Sequence, residues 1–327
     1  MSKHTINPLR RKVLGAAVAA GAAGLALPLR SFAAGDEVLR IGFQKSSSLL
    51  IIQKGQGSLE KALAPLGVKV QWTEFSSGLP MLEGLNVGSI DLSADVAETV
   101  PLFAQAAKAQ LTYFVQETPS PPAQAIVVPD ESPIRSLADL KGRKVGFAKA
   151  AGVHYLTVKA LEKAGLKFTD IEAAYLQPAD GRAAFEKGAI DAWAIWDPHL
   201  ANIQGKRKVR VIADGNDVGV AYRRFYLAST PYAKRRPDVL AVVAEELRKT
   251  GEWVKNNPRE AAAIHAPLVG LDPATVSVVN GRRSYAVRPV DDVALDEQQV
   301  IADVFAREKL LPVRLDARAN DVWKKSA

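Results

Sequence analysis

The chain has 327 residues, is 48% hydrophobic and 24% charged, and carries a net charge of +8 with no cysteine. A chain of this size holds one two-lobed protein or two domains with a core that needs no covalent staples. The absent cysteines exclude disulfides, thiolate catalysis and cysteine zinc sites, and His4, His154, His199 and His265 show no His-x-x-x-His spacing, so neither a metal nor a cofactor is expected.

The first 33 residues carry Lys3, Arg10, Arg11, Lys12 and Arg30 and no acidic residue, so without them the net charge falls from +8 to +3. The basic excess therefore belongs mostly to this leader, and no nucleic-acid partner is expected. An Ala/Gly-rich apolar run at 13–27 is short for a membrane span. It leads to Ser31-Phe-Ala33, whose small residues favour cleavage after Ala33. Arg10-Arg-Lys-Val-Leu14 resembles the twin-arginine export motif, an address read by a receptor; an ordinary secretory signal is the alternative. No later stretch reaches eighteen consecutive apolar residues, so a soluble periplasmic protein is expected after cleavage.

Val38-Leu-Arg-Ile-Gly-Phe43 reads as a first strand, ending at Gln44-Lys-Ser-Ser-Ser48 and a helical pattern to about Leu63. Alternating Val68, Val70 and Trp72 mark a second strand, and Ser76-Ser-Gly78 opens a helix to Asn86. Ile90-Asp-Leu92 reads as a third strand, Ser93-Ala-Asp95 as its turn, and about Glu98 to Lys108 as a helix; Leu111 to Gln116 is a fourth strand. Strand, small polar turn and helix thus recur three times, the pattern of parallel strands joined by crossover helices. Each helix start has free N–H donors and a partial positive charge, so several converging on one sheet edge make an anion site without needing an arginine. Capping alone also explains the serines.

Thr118-Pro-Ser-Pro-Pro122 cannot continue a central strand, and the chain is expected to leave its first lobe there. The pattern then restarts: strands at 124–128, 144–148 and 171–176, helices at 136–140, after Gly152-Val-His154-Tyr155 and at 178–187. Asp191-Ala-Trp-Ala-Ile-Trp-Asp-Pro198 is the stretch the rest is arranged around. Alternation sends Trp193 to one face, read as core, and Trp196 to the other. Trp196 and Asp197 fall at the strand's carboxyl end, where open α/β sheets hold ligands, and are read as a ligand wall. Phe225-Tyr-Leu-Ala228 returns to the first lobe, beside Arg223 and Arg224, one of which is a candidate to place a guanidinium in the cleft. The remainder is mostly helical with a looped break at about 280–292. Two crossings between α/β lobes imply a hinge and a cleft. The divisions are 1–33, export signal; 34–121 plus 222–327, lobe 1; and 122–221, lobe 2.

Phe43-Gln-Lys-Ser46, Met81-Leu-Glu-Gly-Leu-Asn-Val-Gly-Ser-Ile-Asp-Leu92, Ala164-Gly-Leu-Lys-Phe-Thr-Asp-Ile171 and the Asp191–Pro198 run carry a resemblance that extends over most of 38–230. The chain resembles the periplasmic aliphatic-sulfonate-binding proteins of ABC importers, in the group that also binds taurine and nitrate. That resemblance implies a type II periplasmic binding fold: two α/β lobes with mixed, mostly parallel sheets, a two-stranded hinge and an interlobe cleft. It implies no catalysis, a monomer, an organosulfonate ligand and an ABC permease as partner. The alternatives are a taurine- or nitrate-type anion-binding protein and a ligand-sensing partner of a receptor. Carried onto this chain, the anion-binding turns correspond to Ser46, Ser47 and Ser48, to Ser77 and Gly78, and to Gly152 through His154 and Tyr155, with Trp196 and Asp197 opposite; Gln44 and Arg224 join them as ligand-binding candidates. Two turns depart from the family's pattern. Ser93-Ala-Asp-Val-Ala97 replaces a Gly-Ser/Thr-Thr-Gly turn, and Lys149-Ala-Ala-Gly152 replaces Lys-Gly-Ser-Ser. An ammonium on the ligand would pair with Asp95 or Asp197, the alternative being that Asp95 caps a helix, and His154 either donates to the sulfonate or is a semi-buried histidine. The fold also occurs in pyrimidine-synthesising enzymes with a cysteine-rich iron motif, which the lack of cysteine excludes here.

Overall fold

The computed structural model describes residues 37–325; the leader read at 1–33 lies outside the described residues. β1 (Glu37–Phe43) pairs in parallel with β2 (Val68–Glu74), and between them run α1 (Ser48–Gln56) and α2 (Ser58–Leu63). The single helix expected to Leu63 breaks at Gly57, whose φ of 61° is left-handed and suits a residue without a side chain. α3 (Gly78–Asn86) leads to β3 (Leu92–Ala97), parallel to β1. Here the sequence reading fails: Ser93-Ala-Asp95, expected as a turn, lies inside the strand. Its polar residues are buried against partners distant in sequence, which local patterning does not register. α4 (Val100–Ala106) and β4 (Leu111–Glu117) complete this run.

The proline-rich segment then carries the chain into a second sheet. β5 (Gln124–Pro129), β6 (Lys144–Phe147), α5 (Gly152–Lys163), β7 (Glu172–Tyr175), α6 (Pro178–Glu186), β8 (Ala192–Trp196), α7 (His199–Lys206), β9 (Val209–Asp214) and α8 (Gly215–Val218) follow. β10 (Arg224–Ser229) returns to the first sheet between β3 and β4, antiparallel to both. The chain finishes with α9 (Thr230–Arg235), α10 (Pro237–Asn256), α11 (Pro258–Val269), α12 (Pro273–Arg282), β11 (Val287–Arg288), α13 (Asp292–Arg307) and β12 (Asp321–Val322).

The first sheet runs β11-β4-β10-β3-β1-β2 with β12 also on β4, and the second runs β7-β6-β8-β5-β9. Both sheets share one plan: three parallel strands in the order second, first, third, then an antiparallel strand made by a chain crossing. Strands buried on both faces read as continuous apolar runs, as in Ala192-Trp-Ala-Ile-Trp196, and a parallel sheet demands this. Helix α10 shows the helical counterpart: Val239, Leu240, Val243, Leu247 and Val254 recur at three- and four-residue spacing and are all buried. Two apolar cores result, one per sheet. The C-terminal helix α13 belongs to both. Ala294 and Leu295 pack in the first core, whereas Ile301, Ala302, Val304 and Phe305 pack in the second. Among the described residues no single helix is long and apolar enough to cross a membrane.

Candidate functional site

The carboxyl ends of the parallel strands in the two sheets face one small cavity. Gln44 and Ser46 follow β1, Gly78 opens α3, Asp95 and Ala97 end β3, and Val100 opens α4. From the second sheet come Ala151, Gly152 at the start of α5, and Trp196 at the end of β8. Tyr222 and Arg224 come from the returning crossing. The cavity is tight, with a volume of about 10 Å3, roughly the room of one water molecule.

Helix starts supply the first chemistry. Neither Ser47 before α1, Ser77 before α3 nor Ala151 before α5 makes a side-chain capping bond, so capping does not account for these serines. The leading N–H groups of α3 and α5, whose first residues Gly78 and Gly152 line the cavity, stay available to an acceptor there. Gly152 is required by space, because a Cβ at that position would sit 2.5 Å from Tyr222 Cε2 and 3.0 Å from Ala97 Cβ. Tyr222 itself is held at a φ of 50°, a left-handed conformation unusual for a tyrosine.

Four buried charges supply the second. Arg283 donates to Glu117 at 2.6 and 2.7 Å and to Asp95 at 3.1 Å, and also to the Ser46 carbonyl and Ser48 Oγ. Arg224 Nε lies 3.5 Å from Asp95. Its guanidinium covers the Tyr222 ring at 4.4 Å, and neither terminal nitrogen has a hydrogen-bond partner. Glu117 also accepts from Tyr226 Oη at 2.8 Å. Burial raises the Glu117 carboxyl, but Arg283 and Arg224 outweigh it and hold it below the usual carboxylate range. Burial lifts Asp95 to about 6 against the pull of Arg283, with Glu117 adding to the rise. Two guanidinium groups thus nearly balance two carboxylates, leaving Arg224 with unused donors. A neutral cradle with helix starts and one under-bonded arginine suits a monoanion better than a dianion.

Of the residues read from sequence, Gln44, Ser46, Gly78, Asp95, Gly152, Trp196 and Arg224 line the cavity together. Gln44 Nε2 donates to the Asp95 carbonyl at 3.0 Å, tying the turn after β1 to β3. Asp95 is neither a helix cap nor a free carboxylate, since it sits in a strand and pairs with Arg283. Ser47 accepts from the Gln44 N–H, Ser48 meets Arg283, and Ser77 is buried behind Gly78; these three support the wall rather than line it.

Three others are placed elsewhere. His154 is turned into a ring cluster with Phe147 at 5.1 Å, Phe305 at 5.1 Å and Phe168 at 5.6 Å. Its Nδ1 accepts from the Ala150 N–H, and burial depresses the imidazole to about 3, so it is a neutral core histidine outside the cavity lining. Tyr155 packs edge-on against Phe305 at 5.9 Å beside a different pocket. Asp197 accepts from the Ala201 N–H and from Arg282, which leaves it no role as partner of a ligand ammonium. Arg223 is bound to Glu297 and Gln116. Trp193 is core, as expected, against Phe185.

Arg283, Glu117 and Tyr222 were missed from sequence. Arg283 lies in a segment read as a loop and Glu117 at the end of an apolar strand. The only signal was charge beside tyrosines in otherwise buried segments.

Residues 40–264 match the family described as the substrate binding domain of ABC-type glycine betaine transport system. The chain is similar to the alkanesulfonate-binding protein SsuA from Xanthomonas axonopodis pv. citri, solved bound to MOPS, at 37% identity and a TM-score of 0.84; 89% of this chain and 99% of that one are covered. It is also similar to the periplasmic aliphatic sulphonate binding protein SsuA from Escherichia coli, at 40% identity and a TM-score of 0.79 over 88% of this chain and 97% of that one. A curated Escherichia coli (strain K12) protein with a provisional aliphatic sulfonates-binding name is 41% identical over 289 residues, 88% of this chain and 89% of its own length. At these identities and coverages, with two sheets of one shared plan facing a common cavity, the chain belongs to the family of aliphatic-sulfonate-binding proteins with the type II periplasmic binding fold.

Proposed function

We propose that this chain is a periplasmic solute-binding protein that captures an aliphatic sulfonate between two lobes and delivers it to an ABC permease. The observation that carries this reading is Arg224: a buried guanidinium on the cavity wall with both terminal nitrogens unpaired. A sulfonate is a monoanion that only accepts hydrogen bonds, so it matches those donors together with the N–H groups at Gly78 and Gly152. Trp196 gives the organic tail an apolar wall. The ligand set is Gln44, Ser46, Gly78, Gly152, Trp196 and Arg224, with Asp95 fixing the orientation of Arg224.

The lobes are 34–121 plus 222–327 and 122–221, hinged where the chain crosses between sheets. The chain binds its guest without transforming it: it has no cysteine to supply a thiol nucleophile, and the relatives described above are named as binding proteins. It works as a monomer, is exported on a twin-arginine type leader and has no nucleic-acid partner.

A thermal-shift panel of alkanesulfonates, taurine, sulfate, nitrate and MES tests this. A bound ligand at a hundredfold excess over its Kd stabilises by about 2.7 kcal/mol, so alkanesulfonates are expected to raise the melting temperature. Arg224→Gln is expected to weaken every anion, and Trp196→Ala to weaken long-tailed sulfonates more than sulfate-sized ones. A response to nitrate alone overturns the sulfonate reading, and equal affinities for wild type and Trp196→Ala remove the tryptophan from the site.

A further inference from the structure

Next to the buried Arg283 lies a second arginine that reaches the other way. Arg282 ends α12, a helix rooted in the first core through Val276 and packed on α11. Its guanidinium crosses to elements of the second core: Nη1 lies 3.1 and 3.4 Å from the two carboxylate oxygens of Asp197, and Nη2 donates to Gln204 Oε1 at 2.7 Å. Gln204 is on α7, which is anchored in the second core by Leu200 and Ile203. Asp197 immediately follows Trp196 of the cavity wall.

The burial of this pair is lopsided. The Asp197 side chain is fully covered, while that of Arg282 is 22% exposed. Among the described residues this carboxylate accepts from the Ala201 N–H and from Arg282. A buried carboxylate needs its cation; once the two elements part, water replaces it at little cost. The bond therefore belongs to the approximated arrangement of the two cores. Arg283, one residue on, stays inside the first core on Ser46, Ser48 and Glu117. Consecutive residues thus connect the turn after β1, on one side of the cavity, to the residue after Trp196 on the other.

We propose that Arg282 is a closure latch, a positioning residue that holds the two lobes together over the occupied cavity by spanning Asp197 and Gln204. This rests on the anion-binding reading above, and the latch acts on how long the guest stays rather than on how it enters. Removing one member of a desolvated charge pair acts chiefly on dissociation.

The test uses the full mature chain and butanesulfonate as probe, followed by stopped-flow tryptophan fluorescence. Arg282→Gln is expected to raise the dissociation rate about tenfold with the association rate changed by less than about twofold. In a double-mutant cycle with Asp197→Asn, the double variant should dissociate no faster than Arg282→Gln alone. An unchanged dissociation rate, or additive effects in the cycle, overturns the latch. If wild type ignores every sulfonate, the anion reading fails, and small-angle scattering of the ligand-free proteins then decides the latch. A larger radius of gyration for Arg282→Gln supports it, and equal radii overturn it.

Discussion

Glu98 sits directly after β3 with both carboxylate oxygens buried and unpartnered, and burial pushes its carboxyl from 4.5 up to about 8. Its backbone is fixed, since its N–H donates to the Arg223 carbonyl and its carbonyl accepts from Gln298 Nε2. The folded chain therefore keeps a proton on Glu98 at neutral pH, whereas the unfolded chain has lost it. For an acid raised in this way, stability is fully present below the unfolded value and is lost as pH rises towards the folded one. Each pH unit in that window costs about 1.4 kcal/mol. His154, His199 and His265 act with the opposite sign, being depressed by burial from 6.5 to about 3, 4 and 4, and they act only below 6.5. Asp95 is half titrated at about 6, and its small remaining change above 6.5 is common to the wild type and a Glu98 variant.

Between 6.5 and about 8 the difference between wild type and a Glu98 variant therefore isolates Glu98, and over this interval Glu98 should cost the wild type about 2 kcal/mol. For a chain of this length that is a fall of about 4 °C in melting temperature. Glu98→Gln keeps the shape without the proton. Calorimetric melting temperatures of the two proteins between pH 6.5 and 8 decide the matter: the wild-type curve should slope down and that of the variant should be nearly flat. Parallel curves would refute the buried, protonated carboxyl.

Arg283→Met removes the cation shared by Asp95 and Glu117, and breaking such a buried pair costs about 3–5 kcal/mol; a urea midpoint equivalent to less than about 1 kcal/mol would show the network contributes little. Gly152→Ala drives a methyl into the Tyr222 ring, 2.5 Å from Cε2, and should cut sulfonate affinity at least about tenfold in calorimetry, with wild-type affinity counting against the tight closure described here.

Much of this architecture was readable from residue order because the two sheets obey local rules. β1 and β2 show themselves by alternation and apolar content, the helix starts by Ser-Ser-Gly and Ala-Gly junctions, and the first crossing by its prolines. The β8 strand, with Trp193 inward and Trp196 at the tip, follows from period-two geometry alone. What escaped was set by partners far away in sequence. Asp95 looks like a turn residue until Arg283 is brought beside it, 188 positions later. His154 looks like a donor at a helix start until the ring of Phe305 from α13 closes over it. Asp197 looks free until α12 delivers Arg282. Polar residues at strand ends have two fates, facing the guest or facing a distant counter-charge, and composition does not distinguish them.

Helix α13 sets the scale of any rearrangement. A pair of chain crossings by itself would let the halves swing widely, but this helix is bedded in both, with Leu295 at one end and Phe305 towards the other. Wide gaping would have to pull Ile301 and Phe305 out of their apolar bed, or else bend the short link between β11 and the helix. Any parting of the halves therefore has to be weighed against the apolar surface that this one helix would expose, about 25 cal/mol for each Å2 uncovered.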